Sequence, residues 1–169
     1  MVQMAGKPGS GKSTLARGIG AACEAVVLDK DVIKSAALSV GAPEELAAPL
    51  AYEVFFDLAA SLLDQGCSVV LDSPAFFVSI PEKGWRIASE HGVAYHVIEC
   101  VCPDPAEQEA RLRAGARLRS QPRSVAEVRA SLARPGIVAL AELHLEIDTT
   151  QPLDACLELA LRYLNDGQG

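Results

Sequence analysis

The residues best suited to chemistry in this sequence are Gly6, Lys7, Pro8, Gly9, Ser10, Gly11, Lys12 and Ser13, followed at once by Thr14. They fit the pattern G-x-x-x-x-G-K-[ST] at every fixed position, which is the pattern of a phosphate-binding loop. Glycines at 6, 9 and 11 let the backbone curl so that its N–H groups point inward and hydrogen-bond phosphate oxygens. A helix starting near Lys12 would turn its positive end to the same anion. Lys12 is placed to reach the β and γ phosphates of a nucleotide, and the Ser13 hydroxyl to ligate the Mg²⁺ that travels with it.

Acids come next in importance. Asp29 and Asp31 close an apolar run at Ala25-Val26-Val27-Leu28, and Asp72 closes another at Val69-Val70-Leu71. Buried parallel strands read as short continuous apolar runs, and in open α/β sheets ligands bind beyond their carboxyl ends. All three acids should therefore face the crevice that holds the loop. Asp72 has the form of an acid that holds Mg²⁺ across from Ser13. Asp31, expected near the N-cap of the following helix with Lys34 one turn on, is the candidate base for an acceptor hydroxyl, and Asp29 is the alternative. Ser73 and Phe76, in the loop leaving Asp72, are candidate substrate contacts. Seven arginines from Arg111 to Arg134 share a segment whose only acid is Glu127, and Arg113 and Arg117 lie i,i+4 on one helical face.

These groups need a frame. Five apolar runs, starting at residues 1, 25, 67, 94 and 143, alternate with helical patterns, which predicts an α/β domain with a central parallel sheet and helices on both faces. The first helix should span about Lys12 to Ala22. Pro49 suits the first turn of a long helix ending at Gln65-Gly66, whose core stripe would be Leu50, Val54, Leu58 and Leu62, flanked by Tyr52, Phe55 and Phe56. A last helix from Leu153 to Leu164 should pack through Leu153, Leu157, Ala160, Leu161 and Leu164.

Composition narrows the function. The chain has 169 residues, half of them apolar, and a net charge of −7, so one core is expected and a long nucleic-acid partner is disfavoured. No apolar run approaches the roughly 18 residues of a membrane span, and no secretory leader is visible. Five cysteines, odd in number and without C-x-x-C spacing, fit reduced thiols in a cytoplasmic protein. A guanine-reading N-K-x-D is missing from the sequence, and 169 residues leave little room for the extra helical domain of a motor ATPase. A kinase with a small acceptor suits the chain better.

The order of these motifs, Gly6 to Thr14, Leu28-Asp29-Lys30-Asp31-Val32-Ile33-Lys34, Val69 to Asp72, Arg111-Leu112 and Ile147-Asp148-Thr149, resembles that of the small P-loop kinases. That group includes chloramphenicol phosphotransferase, gluconate kinase, adenylylsulfate kinase and the kinase domain of polynucleotide kinase. The resemblance implies the three-layer α/β/α fold of P-loop NTPases in one domain over residues 1–169, with a five-stranded parallel sheet and a small arginine-rich helical lid at about 106–134. It implies ATP and Mg²⁺ as cofactors and a small molecule as acceptor. In that group an acid in a D-x-x-R element activates the acceptor. Carried over, Asp31 takes that place, and Lys34 stands where the Arg would be, without its bidentate fork. Lid arginines are implied too, and Arg113 and Arg117 are the choices here.

Overall fold

The computed structural model describes residues 1–75, 79–114, 118, 120–122, 124, 126–128 and 144–166. In chain order the elements are β1 (Val2–Ala5), α1 (Lys12–Ala22), β2 (Val26–Asp29), α2 (Lys30–Ser39), α3 (Glu44–Asp64), β3 (Val69–Asp72), α4 (Ser79–Glu90), β4 (His96–Val101), α5 (Pro105–Ala114), β5 (Leu145–Asp148) and α6 (Leu153–Asp166). The strands form one sheet in the order β2-β3-β1-β4-β5, and every pairing is parallel. The five-stranded parallel sheet with flanking helices matches the architecture anticipated from the sequence.

β1 is central and wholly buried, which explains its lack of polar alternation: both faces are covered. On one face Met4, Ile98 and Ile147 pack with Leu15, Ala16 and Ile19 of α1 and Ala160 and Leu164 of α6. On the other, Ala5, Leu71 and Val97 pack with Phe55, Phe56 and Ala59 of α3 and Ile87 of α4. Each of the two phenylalanines, once buried, contributes about 2–3 kcal/mol, and their rings meet edge to face with centroids 5.4 Å apart.

α3 departs from the sequence reading in two ways. It begins at Glu44, with Pro43 as its N-cap, so Pro49 lies inside the helix rather than in its first turn. The missing Pro49 N–H removes one helical hydrogen bond. Its buried row is Ala47, Ala51, Phe55 and Ala59, with Phe56 beside it, whereas Leu50 and Leu58 are exposed by 49% and 43%. The stripe is thus turned by one residue from Leu50-Val54-Leu58-Leu62. Alanines at every fourth position let the helix axis approach its neighbours closely while the two aromatic rings fill the space at the end of the row. By length and composition α3 is also apolar enough to cross a membrane, with a mean hydropathy of 1.5 over 18 residues, but its inner row is packed into the sheet core.

Smaller differences follow the same logic. Asp29, not Asp31, is the N-cap of α2: its carboxylate accepts from the Asp31 N–H at 2.8 Å. In α6, Leu153 is 44% exposed and Cys156, Ala160 and Leu164 are buried, because among the described residues the helix packs chiefly on β5 and α1.

Candidate active site

The loop from Gly6 to Gly11 leaves the tip of β1 and enters α1. Gly6, Gly9 and Gly11 have φ values of 124°, 81° and 86°, a region where a side chain is strained. All three are also pressed from outside: a Cβ at Gly6 would lie 2.2 Å from the Cys100 carbonyl oxygen, one at Gly9 3.0 Å from Gln108 and Leu112, and one at Gly11 3.2 Å from Thr149. The Lys12 ammonium donates to the Lys7 carbonyl at 3.0 Å, curling over the loop as a phosphate-binding lysine must. Burial lowers the Lys12 pKa, and the charge of Asp72 opposes that.

The loop is braced on three sides. Gly6 N–H donates to the Pro74 carbonyl at 3.3 Å, Gln108 of α5 donates to the Pro8 carbonyl at 2.8 Å, and the Thr149 hydroxyl lies 2.7 Å from the Ser10 carbonyl. A nest of amides can bind an anion only if its shape is held before the anion arrives, and these contacts supply that.

Opposite the loop, β2 and β3 end in register, with Asp29 beside Asp72. Asp72 is buried, 5% exposed. Burial first, and then the charge of Asp72, push the Asp29 carboxyl up from its ordinary range. Asp31 follows in the first turn of α2, one carboxylate oxygen on the Lys30 ammonium and the other 3.4 Å from the Gln121 amide. Lys30 in turn sits 5.6 Å over the Tyr52 ring. The Lys12, Ser13, Asp29, Asp31, Asp72 and Ser73 side chains all line one cleft of about 670 Å³.

Oxygen donors suit a hard cation: the Ser13 hydroxyl and the adjacent Asp72 and Asp29 carboxylates make a set of the kind Mg²⁺ takes together with nucleotide phosphates. Two neighbouring acids, one of them disfavoured as an anion by the other, are also what a bound dication neutralises.

Several residues singled out in the sequence sit elsewhere. Ser73 lines the cleft but is 1% exposed, its hydroxyl accepting from Gln3 at 3.0 Å and bonded to Tyr52. Lys34 reaches Glu44 at 3.5 Å. The Arg113 side chain is 74% exposed and paired with Glu109. Phe76 and Arg117 lie outside the described residues, as do 119, 123, 125 and 129–134 of the lid segment. Arg111, not chosen from the sequence, lines the cleft and grips Thr149 through both terminal nitrogens, at 2.9 Å to the hydroxyl and 2.7 Å to the carbonyl. Thr149 lines it as well. The sequence signal for both was their place in the Arg111-Leu112 and Ile147-Asp148-Thr149 stretches, in the last turn of α5 and just past β5.

A phosphate loop at the tip of a central strand in an all-parallel sheet, with acids at the tips of two further strands, defines a P-loop nucleotide-binding protein, and the fold is that of the small P-loop kinases. The chain belongs to the AAA domain family, whose model matches residues 1–135. Among solved structures, the APS kinase of Mycobacterium tuberculosis, in complex with AMPPNP and APS, superposes with a TM-score of 0.72 at 17% identity, covering 97% of this chain and 96% of that one. A gluconokinase from Sinorhizobium meliloti gives 0.68 at 18% identity over 98% and 91%. A sugar kinase from Janibacter gives 0.69 at 18% identity over 97% and 93%. No curated protein matches the sequence significantly.

Proposed function

We propose that this protein is an ATP-dependent phosphotransferase that moves the γ-phosphate to a hydroxyl of a small-molecule acceptor. The observation that carries the reading is the convergence of Asp29, Asp31 and Asp72 on the cleft that also holds Lys12 and Ser13. A nucleotide-binding module without chemistry has no use for three acids facing a triphosphate. The APS kinase, gluconokinase and sugar kinase of the same fold support the assignment to this class. Sugars, natural products including antibiotics, and nucleotide-like acceptors all fit it.

In this reading the loop amides of residues 6–14 hold the β and γ phosphates, and Lys12 neutralises charge that spreads over the transferred group. Ser13 and Asp72 would hold Mg²⁺, which when bound would supply positive charge to neutralise the phosphates. Asp31 orients the acceptor hydroxyl and takes its proton, with Asp29 as the second candidate. Arg111, with Arg113 and Arg117 of the lid segment, closes over the phosphates and excludes water. Pro74, which follows Ser73 and lines the same cleft, bounds the acceptor side. All five cysteines are free thiols, which suits a reducing, cytoplasmic setting.

A second reading, ATP hydrolysis without an acceptor, draws on the AAA domain description of the family. ADP release measured with and without a panel of hydroxyl acceptors separates the two. Acceptor-dependent release, lost with Lys12→Ala and lowered at least roughly 10²-fold by Asp31→Asn, is the expected result. Release that ignores every acceptor supports the hydrolase.

A further inference from the structure

We infer that Thr149 is a positioning residue for the nucleotide: its hydroxyl fixes the direction of the Gly11 amide and ties it to Arg111. The inference rests on the nucleotide-binding half of the function proposed above.

Thr149 directly follows β5. Its hydroxyl oxygen lies 2.7 Å from the Ser10 carbonyl and 3.0 Å from the Val101 carbonyl. A hydroxyl has one proton to give. The Val101 carbonyl already receives the Thr149 N–H at 2.9 Å, so the proton goes to the nearer oxygen, that of Ser10. Among the described residues no peptide bond is cis, so the Ser10-Gly11 peptide is trans, and in a planar trans peptide the carbonyl and the next N–H point in opposite directions. Holding the Ser10 carbonyl against Thr149 therefore holds the Gly11 N–H turned away from it. Contact is tight, since a Cβ on Gly11 would lie 3.2 Å from the Thr149 Cβ and Oγ1, so the Ser10-Gly11 peptide has little room to turn.

The same hydroxyl oxygen accepts from Arg111 Nη1 at 2.9 Å, while Nη2 takes the Thr149 carbonyl at 2.7 Å and Nε is held by Glu107 at 2.9 Å. A hydroxyl that accepts from a guanidinium is a better donor, because the cation polarises its O–H bond. A chain of contacts thus runs from Glu107 through Arg111 and Thr149 to the loop, and Arg111, Thr149 and Gly11 all line the cleft.

The test is titration of the full-length protein with the fluorescent analogue mant-ATP, without acceptor, alongside thermal denaturation, for wild type, Thr149→Val, Thr149→Ala and Thr149→Ser. Valine keeps the shape and removes the hydroxyl; serine keeps the hydroxyl. Expected is a Kd raised about tenfold or more in Thr149→Val and Thr149→Ala, from the orphaned Ser10 carbonyl and loosened Arg111, and a return to within about threefold of wild type in Thr149→Ser. Arg111→Ala should add less in the Thr149→Val background than alone. Either of two results overturns the inference: wild-type affinity in the variant lacking the hydroxyl, or a lower Tm in all three variants with affinity unchanged. If Thr149→Val does not fold, the alanine and serine variants decide by the same criteria. A wild-type protein that fails to bind mant-ATP would overturn the nucleotide reading itself.

Discussion

Replacing Gly6 by alanine sets two costs against each other that the structure lets one separate. The first is conformational: at φ 124° an L-residue carries strain of about 1–3 kcal/mol. The second is steric. The new Cβ would lie 2.2 Å from the Cys100 carbonyl oxygen, and real Cβ atoms do not come under 3.0 Å, so loop or strand must move by at least about 0.8 Å. The obstacle is the backbone of β4, held to β1 in register, so no side-chain rotation relieves it, and overpacking of this kind costs about 1–3 kcal/mol. Together these come to about 2–6 kcal/mol, which for a chain of this size lowers Tm by roughly 5–20 °C. Gly41→Ala is the internal control: its φ is 88° with nothing within 4 Å of the added carbon, so it bears strain alone. Thermal denaturation of both variants by circular dichroism, with mant-ATP binding measured well below Tm, gives the comparison. Gly6→Ala should be several degrees less stable than Gly41→Ala and lose nucleotide affinity, while Gly41→Ala keeps it. Equal Tm values would show that the approach of Gly6 to β4 is not a constraint and that the loop is not pre-shaped by it.

Two other perturbations test separate parts of the argument. Asp29→Asn keeps a capping side chain for α2 and removes the charge beside Asp72. Because burial and Asp72 raise the Asp29 carboxyl in the folded state, its stabilising contribution is present below the ordinary value of 3.8 and is lost as pH rises through the folded value. The variant without Mg²⁺ should therefore be more stable than wild type at neutral pH, with the difference vanishing in acid; equal melting curves from pH 3 to 8 would refute this. In α3, Phe55→Ala should cost about 3–5 kcal/mol and Leu50→Ala no more than about 1 kcal/mol, measured by urea denaturation, and the reverse order would restore the leucine stripe as the core.

The fold was readable because its signals were local and redundant. Short apolar runs marked the strands, those of β2 and β3 ending in acids at Asp29 and Asp72, and the glycine spacing of residues 6–11 marked where the chain turns into α1. What could not be read depended on partners distant in sequence. Leu50-Val54-Leu58-Leu62 and Ala47-Ala51-Phe55-Ala59 share the same period, and only the space available between α2 and the sheet decides which turns inward. Asp29 and Asp31 are both good caps, and the choice falls on Asp29 because β2 continues one residue further than its apolar run, to Asp29 itself. Among the arginines, sequence proximity offered Arg113 and Arg117 as a pair, but α5 turns Arg111 toward Thr149, 38 residues away, and Arg113 toward solvent. Thr149 belongs to the Ile147-Asp148-Thr149 stretch of the resemblance, but its role comes from lying just past the end of β5 against a loop that precedes it by more than a hundred residues.

The central place of β1 also bears on how the protein is made. The phosphate loop and its strand are synthesised before either neighbour of β1, since Val69–Asp72 arrives later on one side and His96–Val101 later still on the other. Until then a ribosome holds an exposed apolar strand next to a glycine-rich turn, and a loop brace such as Thr149 has not yet been translated. Nucleotide binding is therefore a late event in the life of the nascent chain, and ATP can act as a check on completed folding rather than as a nucleus for it.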